Sequence, residues 1–280
     1  MYQSHFRLNQ APFALTPNTA LFHALPPHLE AIQTVLSALE MGEGIIQISG
    51  EVGTGKTLVC RMLINQLPER FDLAYLPTPA MNGHELRAAL ANELNLSRDG
   101  DNTMLTERIH DELIQRKSQG KTVVVLLDEA QALPDEALEV IRLLGNLETE
   151  HEKLLQIVLL GQPELDQRLA QHNLRQFRQR ITFRANLRPL DLAETISYIE
   201  YRLQQAGCRK VLFSLSDYRA LWKSSQGIPR VINQLCHKAL IAAYGSNQRK
   251  VTNKEVLMAI KDTLSARQPK WTYPVLWGWS

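Results

Sequence analysis

The stretch Gly50-Glu51-Val52-Gly53-Thr54-Gly55-Lys56-Thr57 is the first place in the chain where residue type and spacing could do chemistry. Its three glycines let a backbone curl until the N–H groups point inward, and the apolar-periodic helix that follows adds the partial positive charge of its N-terminus. Phosphate oxygens suit such a cradle. Lys56 can neutralise β and γ phosphates, and the Thr57 hydroxyl can ligate Mg²⁺. The loop sits between the apolar run IIQIS and a helix pattern opening with Leu58, so the segment from Gly50 to Leu58 is expected to hold ATP.

Hydrolysis needs a second site, and VVVLLDEAQ supplies one. An apolar strand delivers Asp128 to the carboxyl edge of a sheet, where it can hold Mg²⁺ directly or through water. Glu129 can then polarise and orient the attacking water. The next apolar run, LLQIVLLG, ends in Gln162, whose amide can hydrogen-bond the γ phosphate or that water. In LRQFRQRITF, Arg175, Arg178 and Arg180 stand just before the last strand; at helical spacing they cannot all point the same way, and at least one should lie on the surface. An arginine offered to a neighbouring subunit would stabilise transition-state charge, with Arg180 the first choice and Arg178 the second. The segment GIPR brings Gly227, Pro229 and Arg230 to a sharp helix start, from which Arg230 could reach back to the phosphates.

The elements that must position these residues follow from periodicity. Five short apolar runs alternate with helix patterns from Ile45 to Leu187, which predicts α/β architecture with a parallel sheet covered on both faces. Helices are expected over 28–41, 83–94 and 134–147. After Arg188-Pro189 strand signals stop and helix patterns take over, at 192–206, 216–225, 229–244 and 253–264. The predicted organisation is a lead-in segment and helix over 1–44, a nucleotide-binding domain over 45–188, a helical domain over 189–265 and a tail over 266–280. That tail holds Trp271, Trp277 and Trp279; partner docking, packing on its own domain and contact with a membrane surface are all open readings.

With 280 residues, 44% of them hydrophobic, the chain can fold without staples. Cys60, Cys208 and Cys236 show neither disulfide nor zinc spacing, which points to reducing cytosol. No window approaches the roughly 18 apolar residues needed to span a bilayer. Charge is uneven: residues 196–270 carry thirteen Lys and Arg against four Asp and Glu, while the remainder carries eighteen against twenty-five. Nucleic acid, lipid, bound nucleotide or an acidic neighbour could each answer that surplus.

Taken together, GEVGTGKT, VVVLLDEAQ, Gln162, the QRI arginine and GIPR resemble an AAA+ P-loop NTPase over roughly residues 1–265. The resemblance implies strand order 5-1-4-3-2, a small all-α lid, Mg²⁺-dependent ATP hydrolysis and a ring-like homo-oligomer, a hexamer, with sites between subunits. The lead-in segment, LLDEAQAL and VLLGQPELDQRL further resemble the general-secretion-pathway protein A group, ATPases associated with type II secretion and type IV pilus assembly. This implies membrane-associated pilus or secretion proteins as partners, and a cytoplasmic location, peripheral at the inner membrane through them. The alternative reading is a DNA-directed helper ATPase of the transposition type, which shares VLLDEAQ and GIPR-like patterns.

Overall fold

A computed structural model of the chain describes residues 2–15, 22–77, 81–150 and 152–269. The Trp-rich end, 271–280, lies outside the described residues. In chain order the helices are α1 (Tyr2–Phe6), α2 (Pro26–Glu40), α3 (Lys56–Gln66), α4 (Gly83–Glu93), α5 (Asn102–Ser118), α6 (Asp135–Leu144), α7 (Pro163–Leu169), α8 (Arg175–Arg180), α9 (Leu192–Gln205), α10 (Leu215–Ser225), α11 (Pro229–Gly245) and α12 (Asn253–Lys261). The strands are β1 (Ile45–Gly50), β2 (Phe71–Leu76), β3 (Thr122–Leu127), β4 (Leu155–Gly161) and β5 (Ile181–Leu187). The chain divides into two compact units, one of His28–Val52 and Lys56–Leu187, the other of Met1–Pro27, Gly53–Gly55 and Arg188–Ser280.

In the sheet all strand pairings are parallel and the order is β2-β3-β4-β1-β5, the expected order read from the opposite edge. β4 is buried along its whole length and β3 nearly so, which is why both read as unbroken apolar runs rather than alternating ones. Three polar side chains on the central strands hydrogen-bond to neighbouring elements. Gln156 on β4 donates to the Leu39 and Glu43 carbonyls at the end of α2, at 3.1 and 2.9 Å. Gln47 and Ser49 on β1 donate to the Asp166 carboxylate on α7, at 2.9 and 2.6 Å. Burying such groups without partners would cost a few kcal/mol each, so these bonds fix α2 and α7 against the sheet.

One helix of this unit has no counterpart among the expected ones. α5 buries a single residue per turn, Leu105, Ile109 and Leu113, and the rest of its surface is mostly polar, with Met104 and Ile114 exposed. α6 is shorter than expected, starting after Pro134 as its N-cap and closing at Gly145. The last helix likewise stops at Lys261 rather than Leu264, whose side chain is fully exposed.

The helical unit has its own core. Tyr198, Ile199, Leu221, Ile232, Leu235 and Val256 are among its buried residues, and Tyr2, Phe6 and Phe13 from the chain's start join them. Arg202 is buried and donates to the Pro12 carbonyl at 2.6 Å, which ties the opening segment to α9. Helix starts are set by capping boxes at Asp191/Glu194, Ser214/Asp217 and Thr252/Glu255. Gly227, at φ +73°, is packed so tightly that an added Cβ would lie 2.1 Å from the Leu190 carbonyl oxygen. No other residue fits that turn, and it sets the first turn of α11 with Pro229 and Arg230.

Candidate nucleotide site

β1, β4 and β3 are neighbours in the sheet, so the residues that follow their carboxyl ends share one edge. Those residues are the glycine-rich loop after Gly50, Gln162 after Gly161, and Asp128 after Leu127. This is where open parallel sheets bind ligands.

Lys56 and Thr57 begin α3 at the end of the loop. The Lys56 side chain is buried and its Nζ donates to the Gly50 and Glu51 carbonyls at 2.8 and 3.2 Å. Thr57 Oγ1 donates to Asp128 Oδ2 at 2.9 Å, which brings the two expected Mg²⁺ ligands together across 71 residues of sequence. Burial pushes the Lys56 amine below its ordinary value, against the pull of Glu129, Asp128 and Glu51. Burial also raises the Asp128 carboxyl, against the hydrogen bonds from Thr57 and from the Glu129 N–H. Each charge therefore stands in surroundings that disfavour it, and each would be relieved by an opposite charge arriving in the site. Phosphate for Lys56 and a divalent cation for Thr57 and Asp128 fit that donor set.

The tip of the loop clusters with the helical unit. Gly53 and Gly55 stand at φ +86° and +105°, the left-handed region that glycine adopts freely. The Arg230 N–H donates to the Gly53 carbonyl at 3.2 Å, and a Cβ on Gly53 would lie 2.6 Å from the Arg230 Cβ. Glycine at 53 thus serves the loop's curl and a close approach at once. Glu51 and Val52 are exposed, Thr54 is buried, and Leu58 lies half-buried in the first turn of α3.

Glu129 is held by more than its position after the strand. Its backbone is left-handed, φ 56° and ψ 35°, and its N–H donates to Asp128 Oδ1 at 2.9 Å. Two amides reach the same carboxylate oxygen: Gln131 Nε2 donates to Glu129 Oε2 at 2.6 Å, and Gln162 Nε2 donates to it at 3.1 Å. Gln131 Oε1 in turn accepts the Gln162 N–H at 3.1 Å, closing a small ring of bonds between the ends of β3 and β4. Arg168 on α7 supports the ring from behind, donating to the Gln131 and Leu133 carbonyls at 2.8 Å each and pairing with Asp135 at 2.5 Å.

Gln131 and Arg168 were not among the residues singled out from the sequence. The only signal for Gln131 is its place two residues beyond Glu129; Arg168 carries none. Arg175, Arg178 and Arg180 are all exposed on α8, with Phe177 turned into the core.

Residues 39–169 match the family model described as an AAA domain. That stretch is similar to an AAA domain. Over 269 residues it is 41% identical to General secretion pathway protein A of Aeromonas hydrophila, a match covering 95% of this chain and 49% of that protein. The chain thus spans about half the length of that curated relative. Among solved structures, Cdc6p from Pyrobaculum aerophilum is similar with a TM-score of 0.65 at 17% identity, covering 94% of this chain and 71% of that one. The RuvB Holliday junction branch migration motor of Thermotoga maritima is similar with a TM-score of 0.58 at 15% identity, covering 89% and 72%. At such identities the likeness is one of fold, and the fold is that of AAA+ P-loop NTPases. Among the described residues no helix is long and apolar enough to cross a membrane.

Proposed function

We propose that this AAA domain binds ATP with Mg²⁺ through Gly50 to Leu58 and Asp128, and hydrolyses it with Glu129 as the base that orients water. The observation that carries this reading is the convergence of Thr57, Asp128 and Glu129 at one sheet edge, with Thr57 Oγ1 2.9 Å from Asp128 Oδ2. Mg²⁺ would supply charge neutralisation between the β and γ phosphates. The chain's own residues do the rest. Lys56 exchanges its loop carbonyls for phosphate oxygens, Gln162 senses the γ phosphate or the water, and Arg230 closes on the nucleotide from the helical unit. Arg180, or Arg178, is supplied to the site of the next subunit in a ring-like homo-oligomer, a hexamer.

The cellular role we assign is assembly of a type IV pilus, of the mannose-sensitive haemagglutinin kind, or of a related type II secretion machine. The protein would act from the cytoplasmic side, held at the inner membrane by membrane-associated protein partners. Support comes from the 41% identity to General secretion pathway protein A across 95% of the chain. Replacing Glu129 with Gln should trap an ATP-bound oligomer and lower turnover on the order of a hundredfold or more. Affinity capture of that variant from its own cells, with ATP present, should enrich envelope-machine proteins. Undiminished turnover would sink the role given to Glu129; a catch without envelope proteins would sink the cellular role alone.

A further inference from the structure

Two loops of the helical unit lie side by side. The Val251 N–H, after α11, donates to the Leu212 carbonyl, after α9, at 3.0 Å, and Ser216 Oγ lies 3.4 Å from Asn253 Oδ1. The first loop brings Arg209 and Lys210, the second Arg249 and Lys250, and Lys254 follows in the first turn of α12; all five are exposed. Among the described residues none of the five forms an ion pair. The carboxylates closest in sequence do not neutralise them: Asp217 and Glu255 are buried and accept the Ser214 and Thr252 N–H groups as helix caps. Glu200, exposed on α9, accepts from the Tyr218 hydroxyl.

Within this cationic cluster stand two apolar side chains that the fold leaves in water, Val211 at 68% exposure and Leu215 at 53%. Phosphates of a nucleic acid would answer the five cations and leave Val211 and Leu215 without a role. A bilayer rich in anionic headgroups answers both, because cations hold the phosphates while short apolar side chains enter the acyl boundary. We propose that the paired loops 209–215 and 249–254 rest directly on an anionic lipid surface. This goes beyond the nucleotide chemistry and does not rest on it, and it gives the chain a membrane contact of its own besides any made through partners.

The strength follows from the parts. Each cation near an anionic leaflet strengthens binding about fivefold, and five together fall off within a Debye length of ~10 Å at 0.1 M salt. The test is sedimentation of the whole 280-residue chain with vesicles of phosphatidylcholine containing a minority of phosphatidylglycerol, against phosphatidylcholine alone. We expect binding to the anionic vesicles only. The double variant Arg249→Glu with Lys250→Glu should weaken it by about 25-fold or more. Val211→Ser with Leu215→Ser should weaken it about tenfold while leaving all five cations in place. Unchanged melting temperature and unchanged binding of a fluorescent ATP analogue would show that both variants fold. Four outcomes overturn the proposal: no vesicle binding, binding that survives the charge reversal, binding indifferent to loss of the apolar pair, or binding to duplex DNA with no vesicle binding.

Discussion

Glu129 stands in a backbone region that costs a non-glycine residue about 1–2 kcal/mol. Something must hold it there, and three bonds do: Asp128 accepts its N–H, while Gln131 and Gln162 hold its carboxylate. Gln131 is then a positioning residue, since it touches Glu129 and the Gln162 backbone and has no expected contact with the nucleotide. Gln131→Leu should lower kcat on the order of 10- to 100-fold and leave KM for ATP within about twofold. A rise in KM matching the fall in kcat would show that Gln131 acts on binding instead.

Asp128 yields a second prediction at this scale. Its carboxyl is raised above the ordinary value of 3.8 by burial, net of the attraction of Lys56. A raised carboxyl contributes stability at low pH and loses it as pH rises through the folded value, so at neutral pH the charged form is a cost carried until a cation arrives. Asp128→Asn should therefore melt higher than the parent at neutral pH without nucleotide. That advantage should shrink as pH falls toward the carboxylate range, and the gain in melting temperature on adding ATP with Mg²⁺ should be lost. A parent that melts higher than Asp128→Asn at neutral pH would mean that the bonds from Thr57 and the Glu129 N–H outweigh the burial of the charge.

At the scale of elements, what could be read from the chain depended on how many residues each element buries. β3 and β4 are apolar throughout because both of their faces are covered, and their ends put Asp128 and Gln162 on the same edge. α5 escaped because one buried residue per turn, spaced four apart in a mostly polar helix, is too thin a stripe to stand out. Its contribution is still that of a core helix. Ile109 is fully buried in the sheet unit's core, and Ile109→Ala should destabilise that unit by about 2–5 kcal/mol in chemical denaturation. A loss below about 1 kcal/mol would mean that α5 is peripheral to the folded unit. The opening segment was harder for a different reason: Tyr2 and Phe6 lie in a five-residue helix and Phe13 in the turn beyond it, and they acquire meaning only from a core formed near 200 residues later. The ring of bonds around Glu129 was equally hidden, because it depends on one left-handed residue and on a partner 33 residues away. Loop glycines, strand-end acids and the arginine after Pro229 could be singled out because the proposed chemistry calls for each residue type at a fixed offset.

For the molecule as a whole, the decisive matter is whether one chain completes its own site. Arg178 and Arg180 lie exposed at the end of α8, on the sheet unit's surface, where a neighbouring subunit can meet them. In a heterologous ring every interface repeats the same pair of surfaces, so an arginine lent forward is replaced by one received from behind. Two different defects should then complement. On the proposed reading, an Arg180→Ala subunit would keep its own loop, Asp128 and Glu129 but offer nothing to its neighbour; a Glu129→Gln subunit would bind ATP, fail to orient water, and still offer Arg180. Each alone should be nearly inactive. Mixed one to one and allowed to assemble at random, about a quarter of the sites join an intact Glu129 to an intact neighbouring Arg180, and the mixture should regain about a quarter of parental turnover. Mixing with Arg178→Ala in place of Arg180→Ala tells which of the two crosses the interface. If Arg180→Ala and Arg178→Ala both mix with Glu129→Gln without any gain over the sum of the parts, neither arginine is shared, and the site must be finished by residues of one chain.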